Sequence, residues 1–257
     1  MLRRVADGKI PATRRACVRT VVISQPMFFP WVGLLEQMRL ADVFVHYDDV
    51  QFSKGGFTNR VQIKTAQGAP WLTVPLHHTA LGQTIAETRT DDRSNWRRKH
   101  LETLRQAYAH APFGDEMIQL VRAVYDQPFA TLAAISTASI EALRDYFEIG
   151  KPGEFLCSSR LGIGGSGTER VLAICRQLGA QRYVTGHGAR EYLDHAAFDA
   201  AGVRVEYLDY QKRGYPQQHG PFTPFVSALD LAANCGREGR EVIASGAVYW
   251  KDFLQRT

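Results

Sequence analysis

Long apolar runs are missing. No stretch approaches the roughly 20 residues that a membrane-spanning helix requires, and the amino terminus lacks the apolar segment of a secretory signal, so the chain reads as cytoplasmic. Cysteine is sparse: Cys17, Cys157, Cys175 and Cys235 stand far apart with no C-x-x-C pair. That excludes a zinc knuckle and a secreted disulfide framework, leaving reduced thiols, mostly in the core. Also absent are a G-x-S-x-G elbow, an H-E-x-x-H helix, a Gly-Lys-Ser/Thr phosphate loop and a Cys–His pair of catalytic spacing. Serine hydrolase, zincin and P-loop chemistry are thereby set aside, and no metal site is expected.

Net charge is absent from the body of the chain, where basic and acidic residues balance. Arg3, Arg4, Lys9, Arg14, Arg15 and Arg19 against Asp7 account for the whole formal +5. Residues 1–19 therefore read as a basic, disordered tail, and nucleic acid would be bound, if at all, through it. The whole chain, 257 residues at 45% hydrophobic and 22% charged, is long enough to bury its own core.

The pattern predicts one α/β domain over residues 20–257. Thr20–Ser24 is a β-branched strand closed by Gln25-Pro26; Trp31, Leu34, Leu35 and Met38 recur at helical spacing, and Asp42–Tyr47 is a second strand. Strand, helix, strand implies a parallel, Rossmann-like sheet with sites outside the strand ends. Short strands at Val61–Lys64, Trp71–Leu76 and Thr84–Glu87 predict an inserted β segment over about 57–90, followed by a helical segment over about 91–150 broken at Pro112 and Pro128. Alternation then returns: strand 155–157, helix 166–178 with Ser166 and Glu169 spaced as a capping box, then strands 182–185 and 203–207. A loop over 211–224 and two helices close the chain.

The densest polar cluster, Asp48 to Arg60, follows the second strand. Asp48 and Asp49 beside Lys54, Asn59 and Arg60 are a pattern for acid–base work on an anionic substrate. His100 shares a helical face with Trp96 and is the most economical general base, while Arg93 and Arg97 give that helix a basic stripe. Gly162, Gly164 and Gly167 fit G-x-G-x-x-G, but the acidic residue of a dinucleotide site is missing, which leaves a helix start able to hold a phosphate or carboxylate. His187 within Thr185–Ala189, and Tyr215 with Gln217 in the late loop, are further candidates for substrate contact.

Gln25-Pro-Met-Phe-Phe-Pro-Trp31, Asp48-Asp-Val-Gln-Phe52, Asn59-Arg60, Trp71-Leu-Thr-Val-Pro75, Lys99-His100, Ala111-Pro-Phe113 and Tyr215-Pro-Gln217 resemble the WbqC-like protein family across residues 20–250. The resemblance implies a biosynthetic enzyme of the kind associated with O-antigen and related surface polysaccharide or specialised-metabolite synthesis, with glycine or other aminoacyl transfer suggested for it. It singles out Gln25, Asp48, Asp49, Gln51, Lys54, Asn59, Arg60 and His100.

Together these readings lead to an acyl- or aminoacyl transferase acting on a nucleotide-linked sugar or related small acceptor. His100, Asp48, Asp49 and Lys54 would be catalytic; Gln25, Gln51, Asn59, Arg60, His187, Tyr215 and Gln217 would bind substrate. No bound cofactor is expected. An activated donor, carried by a small molecule, a carrier protein or a charged tRNA, would replace a protein nucleophile. Two rivals stay open, an ATP-dependent ligase or nucleotidyl-type enzyme and a nucleic-acid-binding module.

Overall fold

Runs of β-branched and aromatic residues build the sheet, because such side chains fill a pleated surface that is covered on both sides. The computed structural model of the chain describes residues 18–150 and 153–256; Cys17 and the tail up to residue 17 lie outside the described residues. The first unit is β1 (Thr20–Ser24), α1 (Val32–Leu40) and β2 (Val43–His46). An arm follows, carrying the antiparallel pair β3 (Arg60–Gln62) and β4 (Trp71–Thr73). Then come α2 (Trp96–Ala107), α3 (Gly114–Tyr125) and α4 (Leu132–Phe147), with Pro112 and Pro128 in the breaks between them. The alternation resumes with β5 (Glu154–Cys157), α5 (Gly167–Gln177), β6 (Arg182–Thr185), α6 (His195–Ala200) and β7 (Arg204–Leu208). The chain closes through α7 (Ala228–Cys235), α8 (Arg240–Ile243), β8 (Ala247–Tyr249) and α9 (Trp250–Arg256).

The six-stranded sheet has the order β5-β2-β1-β6-β7-β8, parallel except for β8. This is a Rossmann-like α/β fold. Strand order grows outward from β1 on one side, then α5 carries the chain back to β6 on the other. The β1/β6 boundary is thus the point where the winding reverses, and a crevice opens beyond the strand ends there. Alternation along the strands sorts the two faces: Val21, Ile23, Val43 and Val45 pack with Val171, Ile174 and Phe198, whereas Val22 and Phe44 pack with Leu34, Met38 and Ile140.

A third cluster joins Phe28 and Phe29 to the arm and to α2, α3, α4 and α7. Helix α1 lies between sheet and helices and is buried nearly all round, Glu36 included. The Glu36 carboxylate is satisfied by the Ser245 and Gly246 amides at 3.0 and 2.7 Å and by Arg39 Nε at 2.6 Å, which fixes the entry to β8.

Three local expectations are corrected. Thr84–Glu87 is a turn, closed by the Thr84 amide on Glu87 Oε2 at 3.0 Å and by Thr88 N on Thr84 O at 3.1 Å, because these side chains compete with a ladder. Ser166 precedes α5 but makes no side-chain capping bond, so the capping box is not formed. The closing segment also contains the antiparallel edge strand β8, too short at three residues to show alternation.

Two buried histidines make stability depend on pH. Burial lowers His46 to about 4, with Asp48 pulling back, and lowers His100 to about 4, with a bond to the Thr73 backbone pulling back. Between about 6.5 and 4 the unfolded chain binds protons that the folded chain refuses, so stability falls as pH drops through this window. The full effect is on the order of 3 kcal/mol per group. Both His46 ring nitrogens are buried without a hydrogen-bond partner, Nε2 lying 4.0 Å from Glu141 Oε1. His46→Leu is therefore expected to raise the melting temperature more at pH 5 than at pH 7.5; an equal shift at both pH values would show that His46 does not titrate in this way.

Candidate active site

Beyond the ends of β1, β2 and β6 lies a cleft of about 690 Å³. The β1 exit supplies Ser24 and Gln25, Trp31 just before α1 joins Leu34 and Gln37 of that helix, and the β2 exit supplies Tyr47, Asp49 and Gln51. The opposite wall is Gly165-Ser166-Gly167 at the start of α5 with Arg170, then Thr185, Gly186 and Gly188, and Tyr192 at the rim.

Asp49 is the one carboxylate on this wall among the described residues, and Arg170 the one cation. Arg170 Nη2 donates to Asp49 Oδ2 and Ser158 Oγ donates to Oδ1, so both carboxylate oxygens are oriented. Arg170 Nε donates to Ile163 O at 3.1 Å, and the guanidinium lies 5.0 Å from the Tyr47 ring centre. Burial raises the Tyr47 hydroxyl above its ordinary value, against the pull of Arg170, so it is a proton donor at neutral pH.

Asp48, one residue earlier, points the other way. It is buried and accepts from Ser159 Oγ at 2.8 Å and Ser159 N at 3.0 Å, while its own amide donates to Ser158 Oγ at 3.1 Å, tying the β2 exit to the turn after β5. Its surroundings are those of a structural carboxylate.

The remaining sequence candidates are not gathered around this cleft. Lys54, Asn59 and Arg60 line a separate groove of about 390 Å³ with His77 and His78. There Asn59 Nδ2 donates to Val74 O at 3.1 Å, and Arg60 holds the Gly55–Gly56 turn while lying 4.2 Å from the Trp71 ring centre. His100 sits in an aromatic nest of Phe28, Trp96 and Tyr125, its Nδ1 2.9 Å from Tyr125 Oη. Burial keeps it neutral and it does not line the cleft, so the expected meeting of His100 with Asp48, Asp49, Lys54 and Arg60 around one hollow is not what the fold builds.

His187 turns its Nε2 to Leu208 O at 2.7 Å and its ring onto Phe253 at 4.7 Å. Tyr215 and Gln217 belong to a satisfied network under the late loop. Gln217 donates to Tyr215 Oη at 3.0 Å and accepts from Lys64 Nζ at 3.1 Å, and Tyr108 Oη donates to Asp230 at 3.0 Å. The basic stripe expected of this helix is not formed: Arg93 lies in the turn before α2 and pairs with Asp91 at 2.6 Å, while Arg97 pairs with Asp92 at 2.7 Å and Arg98 with Glu102 at 3.4 Å.

Residue patterns had not singled out Gln37, Tyr47, Ser158 or Arg170. Only Arg170 carried a signal, as the cation one turn into the helix that follows the glycine-rich loop. Burial raises the thiols of Cys157, Cys175 (to about 12) and Cys235, and none of them is on the cleft wall.

Trp31 forms its part of the wall only because residue 33 is glycine. A Cβ at Gly33 would lie 2.2 Å from the Trp31 ring. Gly33→Ala should therefore push the indole from its seat against Tyr210 and cost about 1–3 kcal/mol, seen as a lower melting temperature and a shifted Trp31 indole NMR resonance. An unmoved resonance would refute the packing described.

Comparison with known proteins agrees with the resemblance read from the residues. The model of the WbqC-like protein family matches residues 25–242. The uncharacterized protein Rv1507c of Mycobacterium tuberculosis is 32% identical over 235 residues, covering 88% of this chain and 98% of that one. No solved structure matches. A match over most of the chain, taking in the β1 exit, the Asp49 segment and the start of α5, places this chain in the WbqC-like protein family.

Proposed function

We propose that the chain is a biosynthetic enzyme that transfers an acyl or aminoacyl group directly from an activated donor to an amine or hydroxyl of a small acceptor, a nucleotide-linked sugar or a relative of one. Family membership is consistent with a biosynthetic role. The observation that carries the reading is the single oriented carboxylate, Asp49, facing a helix amino terminus across a cleft at the reversal of the sheet.

Asp49 accepts the proton as the acceptor nitrogen or oxygen bonds to the donor carbonyl carbon. The oxyanion so formed is stabilised by the Tyr47 hydroxyl, which lines the cleft and stays protonated. When the carbonyl re-forms, the bond to the donor's thiolate or alkoxide breaks and that group takes the proton from Asp49. Direct transfer suits a wall without a thiol. Gln25 and Gln51, exposed at the mouth, offer paired donors and acceptors for hydroxyl or amide groups of the substrate.

The test is transfer from thioester or aminoacyl-ester donors to amine- or hydroxyl-bearing nucleotide sugars. Asp49→Asn keeps an oxygen for Arg170, so the fold should lose no more than about 1–2 kcal/mol while kcat falls by about 100-fold or more. Full transfer by Asp49→Asn would overturn the role, and ATP cleavage coupled to product formation would turn the reading towards the ligase.

A further inference from the structure

We propose that the amino terminus of α5, together with the carboxamide of Gln37, is a subsite for phosphoryl groups. The proposal rests on the cleft being the substrate site and assigns the part of the substrate that sits there. Helix α5 is 11 residues long and opens directly onto the cleft. Its first amides are uncommitted: Ser166 provides no side-chain cap, and no acceptor among the described residues receives the N–H of Gly167, Thr168 or Glu169. The space before them is open, since a Cβ at Gly164 or Gly167 would meet nothing within 4 Å. An uncapped helix start of this kind favours an anion through its amides and its dipole.

Gln37 supplies an independent indication. It stands on α1, lines the same cleft and is only 6% exposed. Its carboxamide has no hydrogen-bond partner among the described residues, and its polar atoms are not among the sealed ones, so the amide opens into the cleft. The other long buried polar side chain of α1, Glu36, is fully satisfied. A ligand atom in the cleft is the partner that Gln37 lacks.

Arg170 adds charge without giving up Asp49. Its side chain is 8% exposed, with Nε and Nη2 engaged by Ile163 and Asp49 and the guanidinium also bonded to the Tyr47 hydroxyl, so it contributes positive charge to the cleft rather than a spare N–H. Tyr192, half exposed at the rim, is held to the helix start because Thr168 Oγ1 donates to its carbonyl at 3.0 Å. Its ring is placed to stack on a base attached to the phosphates. Glu169, exposed in the first turn, opposes the anion.

The probes are inorganic pyrophosphate and UDP, titrated by calorimetry into the full chain. Ser166→Asp should cap α5 from within, leave the unliganded protein as stable or more so, and weaken pyrophosphate at least tenfold. Gln37→Leu should weaken it about fivefold without lowering the unliganded melting temperature, and Glu169→Gln should strengthen it. UDP binding more tightly than pyrophosphate, with the difference lost in Tyr192→Ala, assigns the subsite to a nucleotide; equal binding assigns it to a sugar or free phosphate. Pyrophosphate that fails to bind, or binds Ser166→Asp and Gln37→Leu as well as wild type, overturns the subsite. That failure is separable from failure of the transfer reading: transfer abolished by Asp49→Asn without pyrophosphate binding would sink the subsite alone. Pyrophosphate binding with the stated sensitivities but no transfer from any donor would sink the transfer reading alone.

Discussion

The β1–α1 connection, Gln25 to Trp31, holds the molecule's parts in register, and it does so against backbone strain. Phe29 is a large, buried, non-glycine residue at φ 38°. Such a conformation persists only where its surroundings over-determine it. Here they do: Ser139 of α4 accepts from the Phe29 amide at 2.8 Å, and Ser227, before α7, donates to the Phe29 carbonyl at 2.7 Å. Next to it, the Phe28 amide and Ser136 Oγ both donate to Thr58 O in the arm, at 3.2 and 3.1 Å. One buried loop is thus bonded to the helical segment, the closing helices and the arm, and its two ends deliver Gln25 and Trp31 to the cleft. The wall of the site is a consequence of how these serines are paired.

Buried polar groups elsewhere are mostly paired. Glu36, Asp48 and the Lys64–Gln217–Tyr215 network each have partners from distant segments, and each network fixes a loop to the framework. His46, Arg97 Nε and Tyr210 Oη are the buried side-chain exceptions among the described residues. Against that background the cleft differs in kind, since its amides and its helix terminus are left open where the strands end. Polar groups that stabilise the fold are satisfied from within; those that face the cleft are available to a ligand.

Much of the architecture was legible from the chain. β1 and β6 run as their β-branched residues indicate, and the prolines at 112 and 128 fall between the helices of the middle segment. The misses have physical causes. Residues 84–87 look like a strand by composition, but Thr84 and Glu87 bond to one another locally. The site was harder to read, because adjacent residues in extended chain face opposite ways: no pattern separates Asp48 from Asp49, yet one is sealed against Ser159 and the other faces Arg170. His100 attracts attention as the side chain that titrates near neutrality in water, a property that burial beside Phe28 and Trp96 removes. Arg170 stands 121 positions from its carboxylate, a separation that only the α5 crossover closes.

The charge balance of the cleft follows from that crossover. Asp49 and Arg170 cancel formally, so the lining has no net side-chain charge among the described residues, and the helix terminus, opposed by the exposed Glu169 of its first turn, is the remaining positive element. A neutral pair beside a positive terminus suits a substrate that is anionic at one end and reactive at the other. The anion is drawn to the amides while the carboxylate stays at the opposite wall, held by Arg170 and Ser158 so that its oxygens cannot turn towards the incoming charge. Were Asp49 free to rotate, it would repel the group that the α5 terminus attracts. Pairing it with a buried guanidinium lets both features share one hollow, and strand order at the β1/β6 reversal brings them there.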